Sequence, residues 1–197
     1  MVATESTMLE LGTAAAPFAL PTPAGHIITL DDLYARHPHG LVVAFICNHC
    51  PFVIHLREAM ADFARWCGSE QVGFVGINSN DAEAYPDDSP ARMLEEIKIA
   101  GYEFPYLIDA DQSVARSYRA ACTPDFYLFD GDRRLFYRGR FDGSRPNNDI
   151  PVTGDDLYLA VETMLDGTPP PRTQVPSMGC NIKWKPGAAP EYFPPSP

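Results

Sequence analysis

The stretch Gly40-Leu-Val-Val-Ala-Phe-Ile-Cys47-Asn-His-Cys50-Pro51-Phe-Val53 decides how the rest of the chain is read. Leu41 to Ile46 is a continuous apolar run rich in β-branched and aromatic residues, the pattern of a strand buried on both faces. Pro51 sits where a helix would begin, and its fixed φ and missing N–H suit the first helical position. Cys50 is then the N-cap, its sulfur expected among unpaired backbone N–H groups at the positive end of the helix dipole. A thiol in such a place ionises more easily than one in water. Cys47 lies three residues upstream, within bridging range of Cys50 if the loop allows. The layout suits thiol chemistry.

Outward from this stretch, the chain reads as alternating strands and helices. Pro51 to Cys67 places Phe52, Leu56, Met60, Phe63 and Trp66 at helical spacing, with Gly68 as the stop. Val72 to Asn78 is a second buried strand, parallel to the first if the helix is a crossover. Upstream, Phe18 to Leu30 reads as a hairpin turning at Pro23-Ala-Gly25, followed by a short helical turn from Asp31 to His37. Residues Met1 to Ala16 read as poorly ordered, apart from apolar contacts through Met8, Leu9 and Leu11. Downstream, Ser89 caps a helix over Pro90–Ala100, and Phe104 to Asp109 is a brief strand leading to a helix from Asp111 to about Arg119. Cys122 to Asp130 and Arg134 to Phe141 form a second hairpin through Gly131-Asp132. Thr153 to Asp166 is an amphipathic helix closed by Gly167. The segment from Thr168 onward is Pro-rich, but Ser177-Met-Gly-Cys180-Asn-Ile-Lys-Trp184-Lys185 is too hydrophobic and specific for a linker and is expected to fold back.

A length of 197 residues suits one domain with a full core, and the net charge of −11 argues against nonspecific nucleic-acid binding and docking on anionic membranes. No apolar stretch approaches the roughly 18–20 residues that span a bilayer. The start, Met1-Val-Ala-Thr-Glu-Ser-Thr, lacks the basic and apolar parts of a secretory signal, which points to the cytoplasm. There, a close cysteine pair is more often catalytic or metal-binding than structural. Asp81, Glu83, Asp87 and Asp88 crowd the segment from Asn78 to Pro90, but without the residue order of a calcium loop, so it reads as a solvated loop.

Together, Cys47-Asn-His-Cys-Pro-Phe-Val53, Phe104-Pro-Tyr-Leu-Ile-Asp-Ala-Asp111, Thr123-Pro124 and Gly179-Cys-Asn-Ile-Lys-Trp-Lys185 carry a family resemblance. The chain resembles thioredoxin-fold redoxins, in the peroxiredoxin-like branch of the alkyl hydroperoxide reductase/thiol-specific antioxidant family. The resemblance implies an α/β thioredoxin-like fold: a central mixed sheet flanked by helices, with an N-terminal hairpin and a Pro-rich C-terminal tail. The expected division is an N-terminal extension over 1–16, the domain over 17–167 and a tail over 168–197 packing on it. It also implies a cis peptide before Pro124, next to the redox cysteines, with the Thr123 backbone presented to an incoming chain.

The resemblance leaves two registers open. By motif, Cys47 is the nucleophile of a C-x-x-C pair. By distance from the strand phenylalanine, Phe45, the nucleophile is Cys50, and Val53 takes the second-cysteine position. The helix argument favours Cys50 as the low-pKa nucleophile with Cys47 as resolving partner. Peroxiredoxins carry a Thr three residues before the peroxidatic cysteine, and here Cys47 occupies that place; Arg119 and Arg140 are the candidates for the Arg such enzymes need. Thioredoxin's buried Asp is also missing, with Ala44 before Phe45, so proton transfer falls to water, His49 or His55. His49 would stabilise a thiolate if protonated. Cys180 is either a third redox cysteine or a thiol packed by Trp184. Cys122 adjoins the site region, and Cys67 reads as core.

The resulting expectation is a thiol–disulfide oxidoreductase using Cys50 and Cys47, supported by His49, Pro51, Thr123 and Pro124, with no cofactor and no metal. Its partners would be protein or small-molecule disulfides and thiols, and the molecule a monomer or homodimer. The alternatives are a peroxiredoxin-like thiol peroxidase, or a metal- or protein-binding module. For metal, Cys47, His49 and Cys50 with Cys180 or Cys122 are the conceivable ligands.

Overall fold

The structure, a computed structural model, describes residues 3–193; the outermost parts of the expected extension and tail, 1–2 and 194–197, lie outside the described residues. In chain order the elements are β1 (Ala3–Glu5), β2 (Ala19–Pro21), β3 (Ile27–Thr29), α1 (Leu30–Arg36), β4 (Gly40–Phe45), α2 (Pro51–Ser69), β5 (Val72–Asn78), α3 (Pro90–Ala100), β6 (Tyr106–Ile108), α4 (Ser113–Ser117), β7 (Cys122–Thr123), β8 (Asp125–Asp130), β9 (Leu135–Gly139), α5 (Asp155–Leu165) and β10 (Met178–Asn181).

The apolar run of β4 is wholly buried and forms the centre of a five-stranded mixed sheet of order β6-β5-β4-β8-β9. It pairs in parallel with β5 across the α2 crossover and antiparallel with β8. Alternate residues of β4 serve opposite faces, as strand geometry requires. Val42, Ala44 and Ile46 join the core built with α2 and α5, while Leu41, Val43 and Phe45 join the one built with α1, α4 and the β2–β3 hairpin. This is the thioredoxin-like arrangement expected from the sequence.

Three local expectations are corrected. Helix α2 passes Gly68 to end at Ser69, with Glu70 as its C-cap. One glycine in a last turn costs only about 1 kcal/mol, and Trp66 and Phe63 anchor that end, each ring centroid 4.7 Å from that of Tyr158. Helix α4 is shorter than expected. The Asp109 carboxylate accepts the Val114 and Ala115 N–H groups at its start, and Arg119 turns left-handed (φ 53°) after its end.

Nor are residues 3–16 poorly ordered. Strand β1 pairs with β10, the Gly12 N–H donates to Leu135 O (2.8 Å), and the Ala15 N–H donates to Arg133 O (2.9 Å). These partners come from the far half of the chain, and the segment has no periodic pattern of its own to announce them.

The chain from Gln174 onward runs along β9 and then enters a second, three-stranded sheet of order β1-β10-β7. Within it β10 is antiparallel to both neighbours, and Cys180 lies opposite Thr123 and Asn181 opposite Cys122. Gly179 is required here: a Cβ would lie 1.9 Å from Thr123 O, so only glycine allows the two backbones this close. Among the described residues, no helix is long and apolar enough to cross a membrane.

Candidate active site

The carboxyl end of β4, the first turn of α2, the β7–β8 junction and β10 converge on one cluster of sulfurs. Cys50 is the N-cap of α2, with Pro51 as its first residue. Its sulfur makes no standard capping hydrogen bond, although the Val53 amide of the first turn supports its charge. In the thiol form it donates instead to Thr123 O at 3.0 Å. The Cys47 sulfur and the Thr123 hydroxyl are 3.4 Å apart. The Thr123–Pro124 peptide is cis, as the family resemblance implied. No disulfide joins any of the cysteines, and Cys47, Cys50 and Cys180 are all buried.

The electrostatics separate these thiols. Cys50 is held well below the ordinary thiol range, first by the Cys180 thiol as hydrogen-bond donor and then by the Cys47 thiol. Burial works against its charge, and the backbone amides of Cys180 and Val53 support it. The Thr123 carbonyl opposes a thiolate, but four donors outweigh one acceptor. Cys47 is pushed well up by burial, by its bond to Cys50 and by the negative charge of Asp88. Cys180 is also raised, chiefly because it is a donor to Cys50.

The remaining cysteines stand apart. Burial raises Cys122, whose thiol donates to Pro124 O (3.5 Å), and burial raises Cys67 in the core. Trp184 does not pack Cys180. It belongs to the opposite core, with Phe193 at 6.2 Å, whereas Cys180 belongs to the core that holds Cys50.

His49 projects from the loop between the two cysteines, with Nδ1 2.9 Å from Asp88 Oδ2, and this partner raises its pKa. Its ring stacks on Tyr85 at 5.9 Å. Asp88 is the residue that sequence reasoning missed. It lies in the acidic segment expected to be solvated, yet Asp81 and Asp88 are buried. The Asp88 carboxylate accepts from the Asn48 N–H (2.8 Å) on Oδ1 and from Asn80 Nδ2 (2.7 Å) on Oδ2. Burial opposes its charge, but His49, Asn80 and Asn48 outweigh that and hold it below the usual carboxylate range. A hint was present in the asparagines Asn48 and Asn80, which supply donors a buried carboxylate needs.

Cys47, His49 and Asp88 bring potential metal-ligand atoms within 4.8 Å of one another. Both Asp88 oxygens already have donors, so a cation there would have to displace built contacts. Of the two candidate peroxidase arginines, Arg140 lines the cavity beside Pro124. Arg140 pairs with Asp156 at 2.5 Å, and Arg119 stacks over Tyr192 at 5.1 Å. His55 borders the same cavity together with Phe52, Phe126 and Met178. A second buried carboxyl, Asp125, follows the cis-proline. Burial pushes it up to about 7, and it accepts from Tyr127 OH at 3.0 Å. It lies opposite Phe45 in the β4–β8 register.

A sulfur cluster beside a cis-proline on this sheet defines a thioredoxin-fold thiol oxidoreductase. The chain belongs to the AhpC/TSA family, whose model matches residues 11–138. It is similar to an uncharacterized conserved protein from Geobacillus kaustophilus, with 50% identity, a TM-score of 0.91, and 95% of this chain and 99% of that one covered. It is also similar to a hypothetical protein from Sinorhizobium meliloti 1021, at 51% identity and TM-score 0.90, with 93% and 100% covered. Both matches extend well past the family match. A secreted Mycobacterium tuberculosis disulfide oxidoreductase homologous to E. coli DsbE shares the fold alone, at 19% identity and TM-score 0.57, with 74% and 95% covered. No curated protein is a significant match.

Proposed function

We propose that the chain is a thiol–disulfide oxidoreductase in which Cys50 attacks and Cys47 resolves, working in the cytoplasm on protein or small-molecule disulfides. The observation that carries this reading is the position of the Cys50 sulfur. It sits at a helix N-cap against Thr123 O, with neighbouring thiols as donors rather than competitors for the charge. The Cys50 thiolate attacks one sulfur of a substrate disulfide, and the other leaves as a thiolate and takes a proton. Asp88 raises the His49 pKa and so favours the protonated ring, which is the proton donor beside the loop. Cys47 then loses its proton and attacks the Cys50 sulfur, expelling the first substrate sulfur as a thiol. Such exchange requires both thiolate character and access.

Peroxide reduction is the second reading, favoured by family membership. Against it stand Cys47 in place of a threonine and the engagement of Arg140 by Asp156 and of Arg119 by Tyr192.

The deciding experiment is disulfide exchange by the Cys50→Ser and Cys47→Ser variants. Cys50→Ser is expected to abolish exchange and Cys47→Ser to go on forming its disulfides through Cys50. The reverse pattern would make Cys47 the nucleophile, and peroxide consumption by wild type that survives in Cys47→Ser would favour the peroxidase.

A further inference from the structure

The Cys50 sulfur has no solvent exposure, and Cys47 has 1%. A nucleophile so enclosed cannot meet a second molecule's disulfide until a covering segment moves. Strand β10 is that covering segment. It pairs antiparallel with β7, next to the cis-proline, and so takes up the backbone positions that an incoming extended peptide would use. Cys180 lies directly opposite Thr123, whose carbonyl and hydroxyl hold the Cys50 and Cys47 sulfurs. Gly179 then brings the two backbones together more closely than any other residue permits.

We propose that β10 is a built-in surrogate for a polypeptide substrate: Cys180 stands where a substrate cysteine would stand, forms a disulfide with Cys50, and closes the site to polypeptides until that bond is reduced. The proposal rests on the reading of Cys50 as the attacking sulfur. It also defines the polypeptide class that would replace β10. This is an extended segment, antiparallel to β7, with a small residue before its cysteine.

The chemistry needs only a disulfide as oxidant. The Cys50 thiolate attacks a small disulfide and releases one thiolate, which takes a proton. Cys180 gives up its proton and attacks the Cys50 sulfur, forming the Cys50–Cys180 bond and releasing the second thiolate, which takes that proton. Two protein thiols are oxidised and one disulfide is reduced to two thiols. The proton on Cys180 is held mainly by its bond to Cys50, so the first step removes the main cause of its resistance to ionisation. Neighbouring segments keep the cap in place. The Lys183 N–H donates to Asn80 Oδ1 (2.8 Å), Gln112 Nε2 donates to Lys183 O (2.9 Å), and the Ser177 hydroxyl donates to Gly139 O (2.6 Å). Opening is therefore local, confined to the few residues between these anchors.

The test uses the full chain exposed to oxidised glutathione, quenched in acid, alkylated and mapped by mass spectrometry. In Cys47→Ser, the Cys50–Cys180 disulfide is expected to be the main product, and in Cys180→Ser the Cys47–Cys50 disulfide. A Cys47→Ser protein that holds glutathione on Cys50 while Cys180 remains fully alkylated overturns the inference but leaves the oxidoreductase reading intact. A Cys50 that never reacts in any variant defeats both.

Closure is tested with Gly179→Ala, whose added methyl cannot coexist with the present β10–β7 contact. Alkylation of Cys50 by iodoacetamide in the reduced protein should quicken by roughly tenfold or more, with Cys67 still protected as the check on folding; an unchanged rate overturns the cap. Should that variant not fold, hydrogen exchange over 178–181 in wild type decides the point. It should slow on oxidation, and equal exchange in both redox states counts against the proposal.

Discussion

The Cys50 sulfur lies between two regions of unlike origin. On one side is the helix: the loop carrying Cys47 and the first turn of α2, both close to Cys50 in sequence. On the other is β10, brought from the far end of the chain by pairing with β7. The helical side shows the familiar sequence signs of an activated thiol, yet the larger influence on Cys50 comes from Cys180. A helix terminus offers partial charges that solvent weakens, whereas a buried thiol directed at a thiolate gives a charge-assisted hydrogen bond with no water to compete. Proximity in sequence is therefore a poor guide to which side controls the site.

The sharpest test of this inequality is Cys180→Ala. Removing one such donor should raise the Cys50 titration midpoint by about 1–2 pH units, followed through the ultraviolet absorbance of the thiolate. Cys47→Ala should raise it as well, but by less than about 1 pH unit. A larger rise for Cys47→Ala would return control to the helical side.

The smallest effect is expected from Asp88→Asn, which leaves both sulfur partners in place and withdraws support from His49. The pair with Asp88 raises the His49 pKa above its unfolded value. Its stabilisation is then complete below the unfolded pKa, about 6.5, and is lost as pH rises through the higher folded value. Thermal unfolding across that window should show this slope in wild type and not in Asp88→Asn. The difference should stay below about 1 kcal/mol, because the ring is partly exposed to solvent and the pair is screened. The His49 resonance should also titrate at lower pH in the variant, and an unmoved midpoint would break the link between Asp88 and the site.

The same contrast explains what was legible in the sequence. The strand Leu41–Ile46, the start of α2 at Pro51 and the hairpin at Pro23-Ala-Gly25 follow from rules spanning a few residues, and each is in place. The cis-proline beside the cysteines was reached through family resemblance and is also present. Features that depend on distant partners could not be read. Three residues of β1 make a strand only because β10 lies beside them. Asp88 is acidic and flanked by other acids, which usually marks a solvated loop. Its burial follows from donors at Asn48, His49 and Asn80 that a one-dimensional reading has no means of aiming. Cys180 was legible as a redox candidate, but its register against Thr123 was not.

The pairing of β10 between β1 and β7 also has a consequence in time. A chain emerging from the ribosome presents Cys50 long before Cys180 exists, so through most of synthesis Cys50 lacks its strongest donor and has a more ordinary reactivity. The pairing that encloses Cys50 is therefore the same event that brings it the Cys180 donor.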